Sequence, residues 1–582
     1  MRRLALPAAL AGVTLVLALF LSAAPARSVD LAPLFAAGDN ATAPGDGWVY
    51  TSPPAQMLEM NRGSMGFSSP AASPKAALGL AVGGAKDVAN FRENIAGNYL
   101  PLPTDVTYEG LFYDYYFDTG QAAPCAKLFC PSAARAVSRD PFNSAEEYYL
   151  AVGLNSGLAA EDFSRKALNL VVVLDNSGSM GAPFDRYYYD APKAFPGKSV
   201  PGEPPAEDSS KMALANHAVA ALLGHLRPGD RFGMVIFDSK ATLARPLLPV
   251  KPEEMGQLKA HIREITPMGG TNLSAGMELG TRLFDALGPI DPNTTENRII
   301  FCTDAMPNLG NTDDRDMLQA IADNAKAGIN TTFIGIGVDL NTELVEAVTK
   351  ARGANYYSVH SAEEFTRRLD TEFDFMVTPL VFDLRLTLHS KDFAIERVMG
   401  SPEADLATGE VMRVNTLFPS AADERGVRGG VILLKLRRLN KTGNAISLTA
   451  TYEDRTGRKD KEELSVAFGP DRSGEFSDTT GLRKAILLAR YAGLLRSWAA
   501  AERTAPQVRK NPSAKGGIPL PTDKELKLGR WERQSMPLKV SSAFHLLFER
   551  FAAHFAAEAT ALGDPELTRE SKVLAKLAAH AD

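Results

Sequence analysis

The feature that most constrains the fold is an alternation of strand-like and helix-like stretches between residues 166 and 379. The strand-like stretches are short and apolar: Leu168–Leu174, Phe232–Phe237, Ile299–Thr303, Thr332–Gly337 and Asn355–Val359. Helix-like stretches separate them: Lys211–Leu226, Glu253–Ile265, Ser274–Leu287, Arg315–Ala327, Thr342–Ala351 and Glu363–Phe375. This alternation predicts an α/β domain with a doubly wound, mostly parallel sheet that helices cover on both faces.

Polar side chains stand at the C-terminal ends of two of these strands. Asp175, Ser177 and Ser179 follow the first strand, and Asp304 follows the strand that ends at Thr303. Ligands of doubly wound sheets bind outside the C-terminal ends of the strands, so we expect Asp175 and Asp304 on one edge. Oxygen ligands suit hard cations, and the pattern therefore predicts a cation site there. Asp-x-Ser-x-Ser by itself is equally typical of an ordinary turn after a strand.

The flanking segments differ from this unit in composition and pattern. Residues 27–85 are rich in Ala, Pro, Gly and Ser and predict a flexible spacer. Residues 86–165 predict a mostly β segment, with one or two strands in the aromatic run 111–117. Residues 380–470 predict a β-sandwich-like domain that is a candidate to share a sheet with that segment. Residues 471–582 predict helices, and a stripe at helical spacing predicts a core-facing side for Phe544, Phe548, Phe551 and Phe555.

The first 26 residues have the pattern of a secretory signal. Arg2 and Arg3 precede an apolar stretch that small residues follow up to Ala26, the expected cleavage point. The alternative is an uncleaved N-terminal membrane anchor, because the apolar stretch is almost long enough to span a bilayer. Either reading places the protein outside the cytoplasm, as a periplasmic or secreted protein or one anchored by this segment. The sequence has no second apolar run of that length, which argues against a multi-pass channel.

Three cysteines give limited information about the fold. Cys125 and Cys130 are close in sequence, and an oxidising compartment favours a local disulfide between them, with two free thiols as the alternative. Cys302 lies in an apolar strand and is expected to be a buried, inert side chain.

Several function classes find no support in the composition. The net charge is −6 and no basic tract is present, which argues against a nucleic-acid partner. The eight histidines form no zinc pattern, and the chain has no phosphate-binding Gly-rich loop. Asp238 and His261 could act as acid or base, but both are more typical of surface residues. Without a nucleophile motif or a general base in a recognisable place, we expect no enzyme.

The complete set of polar motifs resembles the von Willebrand factor type A domain family. The adhesion site of that family combines Asp-x-Ser-x-Ser, a later Thr and a later Asp, which correspond to Asp175, Ser177, Ser179, Thr271 and Asp304. The resemblance covers residues 166–379 and is closest to secreted bacterial members, some of which are named after calcium-activated chloride channels. One departure is Ala305, where the family usually has Gly.

The resemblance implies metal-ion-dependent protein binding. Mg²⁺ prefers about six oxygens, and two carboxylates only balance its charge, so the cation can accept an Asp or Glu carboxylate from a partner protein. Mg²⁺ is the preferred cation, with Mn²⁺ or Ca²⁺ as alternatives. The main hypothesis is an adhesion or scaffolding protein of the cell envelope. Two others stay open: a membrane-tethered, chaperone-like assembly subunit with a structural α/β module, and a metal-dependent hydrolase.

Overall fold

The computed structural model describes residues 45–51, 77–82, 89–121, 127–183, 210–304, 314–337, 351–359, 367–401, 410–440, 442–468, 474–504 and 536–580. In chain order the strands are β1 (Ala77–Val82), β2 (Tyr116–Phe117), β3 (Cys130–Arg139), β4 (Glu146–Ala159), β5 (Ala167–Asp175), β6 (Arg231–Phe237), β7 (Ala241–Pro249), β8 (Thr295–Thr303), β9 (Ile329–Ile336), β10 (Asn355–Val359), β11 (Val381–His389), β12 (Phe393–Met399), β13 (Glu410–Ser420), β14 (Ala422–Asp423), β15 (Gly426–Arg428), β16 (Val431–Arg438), β17 (Ala445–Asp454), β18 (Lys459–Ala467) and β19 (Phe476–Ser477). The α-helices are α1 (Ala89–Ala96), α2 (Tyr108–Tyr113), α3 (Lys211–Leu222), α4 (Met255–Arg263), α5 (Leu273–Arg282), α6 (Asp314–Lys326), α7 (Phe373–Met376), α8 (Thr480–Thr504), α9 (Ser542–Leu562) and α10 (Thr568–Ala579). The predicted signal or anchor at residues 1–26 lies outside the described residues.

The predicted doubly wound sheet is present and has the strand order β10-β9-β8-β5-β6-β7. Its neighbouring strands are parallel except for β6 and β7. The central strand β5 buries Leu170 to Leu174 completely, because helices cover both faces of the sheet. Strand β7 was not predicted from the sequence. Its Pro246 and Pro249 are typical of strand breaks, and the structure tolerates them because β7 lies at the sheet edge.

A second, ten-stranded sheet joins segments from both sides of the α/β unit. Strand β4 pairs with β16, and β1 pairs with both β4 and β13, so residues before and after the unit share one antiparallel sheet. Strand β1 falls in the stretch 27–85, for which the sequence predicts a spacer. Residues 77–82 therefore depart from that prediction, because Leu78, Leu80 and Val82 find a partner surface that only the folded sheet supplies.

The prediction of strands in residues 111–117 is wrong for most of this run, which forms helix α2 before the short strand β2. Thr107 caps the helix by accepting a hydrogen bond from the Gly110 amide at 3.2 Å. Leu111, Phe112 and Tyr113 are all buried, so the helix is enclosed by its neighbours. A run that is apolar at consecutive positions carries no period of two, and its aromatic residues therefore do not identify a strand.

The C-terminal helices α8, α9 and α10 form a core together with α1 and α2. Phe548, Phe551 and Phe555 are fully buried and Phe544 is half-buried, which confirms the predicted core-facing stripe. A buried ion pair also connects α1 to α10: Arg92 contacts Glu570, whose second donor is the Tyr115 hydroxyl at 2.7 Å. Within the described part of the chain, no helix combines the length and apolar character needed to cross a membrane.

Two further contacts join the α/β unit to its surroundings. Glu372, just before α7, pairs with Arg368 at 2.6 Å and with Arg428 of β15 at 2.8 Å. Near the other end of the described chain, Trp48 is buried and its ring stacks on His261 of α4, with 5.2 Å between ring centroids.

Candidate metal centre

The two aspartates of the predicted site lie on the same edge of the parallel sheet. Asp175 is the last residue of β5, and Asp304 directly follows β8, the neighbouring strand in parallel register. Both side chains are completely buried. The fold therefore brings together two carboxylates that are far apart in sequence, as the strand pattern predicts.

A continuous chain of hydrogen bonds connects four of the five predicted residues. The Asp175 carboxylate accepts the Ser177 amide at 2.8 Å, and the hydroxyl oxygens of Ser177 and Ser179 are 3.0 Å apart. The Ser179 hydroxyl donates to Asp304 Oδ1 at 3.0 Å. The Thr303 hydroxyl donates to Asp175 Oδ2 at 2.5 Å, so this residue, which sequence reasoning missed, orients the first carboxylate.

Thr271, the fifth predicted residue, is buried in a loop that is fastened to the same turn. The Gly178 amide donates to the Gly269 carbonyl at 3.1 Å, and the Met268 amide donates to the Asn176 carbonyl at 2.6 Å. These two backbone bonds hold the loop that carries Thr271 beside the Ser177–Ser179 turn.

Asp238, at the end of β6, holds the other side of this loop. Its backbone carbonyl accepts the Asn272 amide at 2.7 Å, and its carboxylate accepts the Lys240 amide at 3.0 Å. Gly269 has a φ of +70°, and a Cβ there would lie 2.8 Å from Asp238 Oδ2, so only glycine fits the loop. Asp238 therefore positions the loop, whereas His261 is engaged with Trp48.

Burial and the neighbouring charge of Asp304 raise the pKa of Asp175 to about 7, although the hydrogen bonds from Thr303 and Ser177 favour its ionised form. Two buried carboxylates in one hydrogen-bonded chain require a compensating cation. Carboxylates and hydroxyls are the donor set of a hard divalent cation, so the residues present fit such an ion. Across the described ranges, no group of three or more His, Cys, Asp or Glu side chains forms another candidate metal site.

The structure adds a positive charge that sequence reasoning did not place at the site. The Lys211 ammonium lies 3.2 Å from Asp304 Oδ2, and both side chains are completely buried. Lys211 is the first residue of α3, far from either aspartate in sequence, and a lysine at a helix start gives no signal of such a contact.

Other predicted features near the site have mixed outcomes. Cys130 is disulfide-bonded, whereas Cys125, its predicted partner, lies outside the described residues, so their pairing stays a prediction. Cys302 is a buried free thiol, as expected, and burial raises its pKa. Residues 184–209, most of the insertion, and Ala305 lie outside the described residues.

A doubly wound α/β domain with this carboxylate and hydroxyl donor set at its sheet edge belongs to the class of adhesion-type domains. Residues 170–306 match the family model of the von Willebrand factor type A domain. The chain therefore contains a von Willebrand factor type A domain.

Known proteins with similarity to the chain share mainly this region. Human inter-alpha-trypsin inhibitor heavy chain H4 is 23% identical over 243 residues, which cover 41% of this chain and 23% of that protein. The heavy chain H1 from Mesocricetus auratus is 22% identical over 231 residues, covering 39% and 22% respectively. The chain thus spans less than a quarter of the length of these relatives. Among solved structures, a von Willebrand factor type A protein from Catenulispora acidiphila is similar, with a TM-score of 0.38, 15% identity and coverage of 66% of this chain and 84% of that one.

Proposed function

We propose that this protein binds a partner protein through a divalent cation held by Asp175, Ser177, Ser179, Thr271 and Asp304. The partner contributes one Asp or Glu carboxylate to the cation. The observation that carries the proposal is the hydrogen-bonded chain of Ser177, Ser179 and Asp304 along one sheet edge. Hydroxyls that contact each other and a carboxylate at 3.0 Å can turn together toward a cation without moving the backbone.

The cation in this proposal is Mg²⁺, with Mn²⁺ or Ca²⁺ as alternatives. Mg²⁺ prefers about six oxygens and keeps water where the protein supplies none. A compact set of small hydroxyls and two carboxylates suits this ion, and a water-occupied position is where a partner carboxylate binds.

The proposal is one of binding in the cell envelope or outside the cell, without a catalytic step. Its location rests on the signal-like first 26 residues. The two side chains that could act as acid or base support a non-catalytic role. Asp238 is committed to the loop, and His261 stacks on Trp48 and lies 3.3 Å from Asp46 Oδ2.

Calorimetric titration of Mg²⁺ tests the site directly. Wild type is expected to bind one Mg²⁺, and Asp175→Ala and the closer mimic Asp175→Asn are expected to lose that binding while keeping the wild-type circular dichroism spectrum. Asp323→Ala is the matched control, because Asp323 is a half-exposed carboxylate on α6 of the same unit. Equal Mg²⁺ binding by folded Asp175→Asn would contradict the proposed ligand set.

Capture of cell-envelope proteins tests the function of the site. The same variants, immobilised with Mg²⁺ or with EDTA, should capture a partner only as wild type or Asp323→Ala and only with Mg²⁺. Capture that survives both Asp175→Asn and EDTA would instead favour an assembly subunit in which the α/β module is structural.

A further inference from the structure

The most unusual charge in the described structure is the completely buried ammonium of Lys211. Lysine side chains are almost never fully buried unless they are paired. Its contact with Asp304 Oδ2, at 3.2 Å, places it within the carboxylate and hydroxyl cluster of the metal centre.

The backbone around Lys211 fixes this position. Ser210 caps helix α3 by accepting the Ala213 amide at 3.0 Å, so Lys211 begins the helix at a defined place. The Lys211 amide donates to the Ala182 carbonyl at 3.0 Å, and Pro183 pairs with Ser210 in an isolated bridge. Helix α3 is therefore attached to the end of the turn that carries Ser177 and Ser179.

A glycine on the neighbouring chain makes room for the lysine stem. Gly337 follows β9 with a φ of +92°, and a Cβ at this residue would lie 2.5 Å from Lys211 Cε. The ammonium therefore occupies a prepared channel between α3 and the end of β9, directed at Asp304.

We infer that Lys211 sets the charge balance of the metal centre and thereby selects a single carboxylate as the ligand. This inference rests on the proposed function. With both aspartates ionised, a divalent cation alone would leave the centre neutral, and the ammonium leaves it with one net positive charge. One partner carboxylate restores neutrality. Lys211 thus weakens binding of the cation by itself and strengthens binding of a monocarboxylate to the loaded centre.

The same ammonium compensates Asp304 when no cation is bound. A buried charge that loses its partner destabilises the fold strongly. Wild type is therefore expected to gain little thermal stability from Mg²⁺, whereas a variant without the Lys211 charge is expected to gain more, because tighter binding to the folded state stabilises it more.

Calorimetric titration of MgCl₂ into neutral variants of Lys211 tests the inference. Lys211→Gln keeps a hydrogen-bond donor of similar length, and Lys211→Met is an apolar alternative if the first variant does not fold. Either folded variant is expected to bind Mg²⁺ at least about tenfold more tightly than wild type. Lys326→Gln is the control, since Lys326 is exposed on α6 of the same unit. An unchanged or weaker Mg²⁺ affinity in a folded neutral variant overturns the inference.

A second titration, of sodium acetate into Mg²⁺-saturated protein, measures the monocarboxylate preference. Acetate is expected to bind wild type and Lys326→Gln more tightly than the neutral Lys211 variants, and equal acetate affinities overturn the inference. These failures differ from failure of the proposed function. If wild type, Lys211→Gln and Asp175→Asn all lack Mg²⁺ binding, both the proposed function and this inference are wrong.

Discussion

Helix α5 follows Thr271 directly, and two glycines let it lie unusually close to the parallel sheet. A Cβ added to Gly280 would lie 2.6 Å from Val173 Cγ2, and one added to Gly276 would lie 2.7 Å from Phe237 Cδ1. Real Cβ atoms do not approach other atoms so closely. We therefore expect Gly280→Ala to push the helix off β5, although alanine is the better helix former.

The magnitude follows from two opposing contributions. Alanine is favoured over glycine in a helix interior by about 0.5–1 kcal/mol. Adding a methyl group to a closely packed site costs about 1–3 kcal/mol. Gly256 of α4 is a matched control, because an added Cβ there meets no atom within 4 Å. Gly256→Ala should therefore stabilise the protein, and the difference in unfolding free energy between the two variants should equal the packing cost, about 1–3 kcal/mol.

Differential scanning calorimetry of the two variants measures this difference. For a domain of about 150–250 residues, 1 kcal/mol shifts the melting temperature by about 2–4 °C. Gly280→Ala should melt below Gly256→Ala by a few degrees, and its displaced helix should also weaken Mg²⁺ binding by moving the Thr271 loop. If Gly280→Ala melts as high as Gly256→Ala, the close approach of α5 to the sheet does not exist as described.

Three further predictions concern contacts between segments. Glu570→Ala should lower the unfolding free energy by about 3–5 kcal/mol in urea titrations, because it strands a buried arginine, whereas the half-exposed Glu566→Ala on the same helix should change it by about 0.5 kcal/mol or less. Burial would raise the pKa of Glu372, but its two arginine partners hold it at about 2 instead of 4.5, so its contribution of about 3 kcal/mol is complete above pH 4.5 and is lost toward pH 2. Glu372→Gln should accordingly flatten the fall in stability over that interval, and an unchanged acid profile would contradict the pairing. Trp48→Ala should remove the ring stack on His261 and increase hydrogen exchange at the Val49 amide, which donates to the Ala244 carbonyl at 2.9 Å, and unchanged protection would show that the ring does not hold this segment.

The sequence by itself determined the local elements that carry strong, regular patterns. Leu170 to Leu174 can only be a strand buried on both faces, and the polar residues after it must then lie at the sheet edge. The phenylalanine stripe of α9 likewise specifies its buried side, because residues at helical spacing share one face. In these cases a single short stretch contains both the element and its orientation.

Tertiary structure alone decided which distant segments meet. Strand β1 is apolar but short, and its place between β4 and β13 depends on strands more than 70 residues away in sequence on one side and more than 320 on the other. Helix α2 is enclosed by neighbours from other segments, so its own pattern did not reveal its type. Lys211 shows the same limit at the site, since a charge becomes a partner of Asp304 only when α3 is attached to the turn after β5. Contacts of this kind depend on packing across the whole fold, which no local period in the sequence encodes.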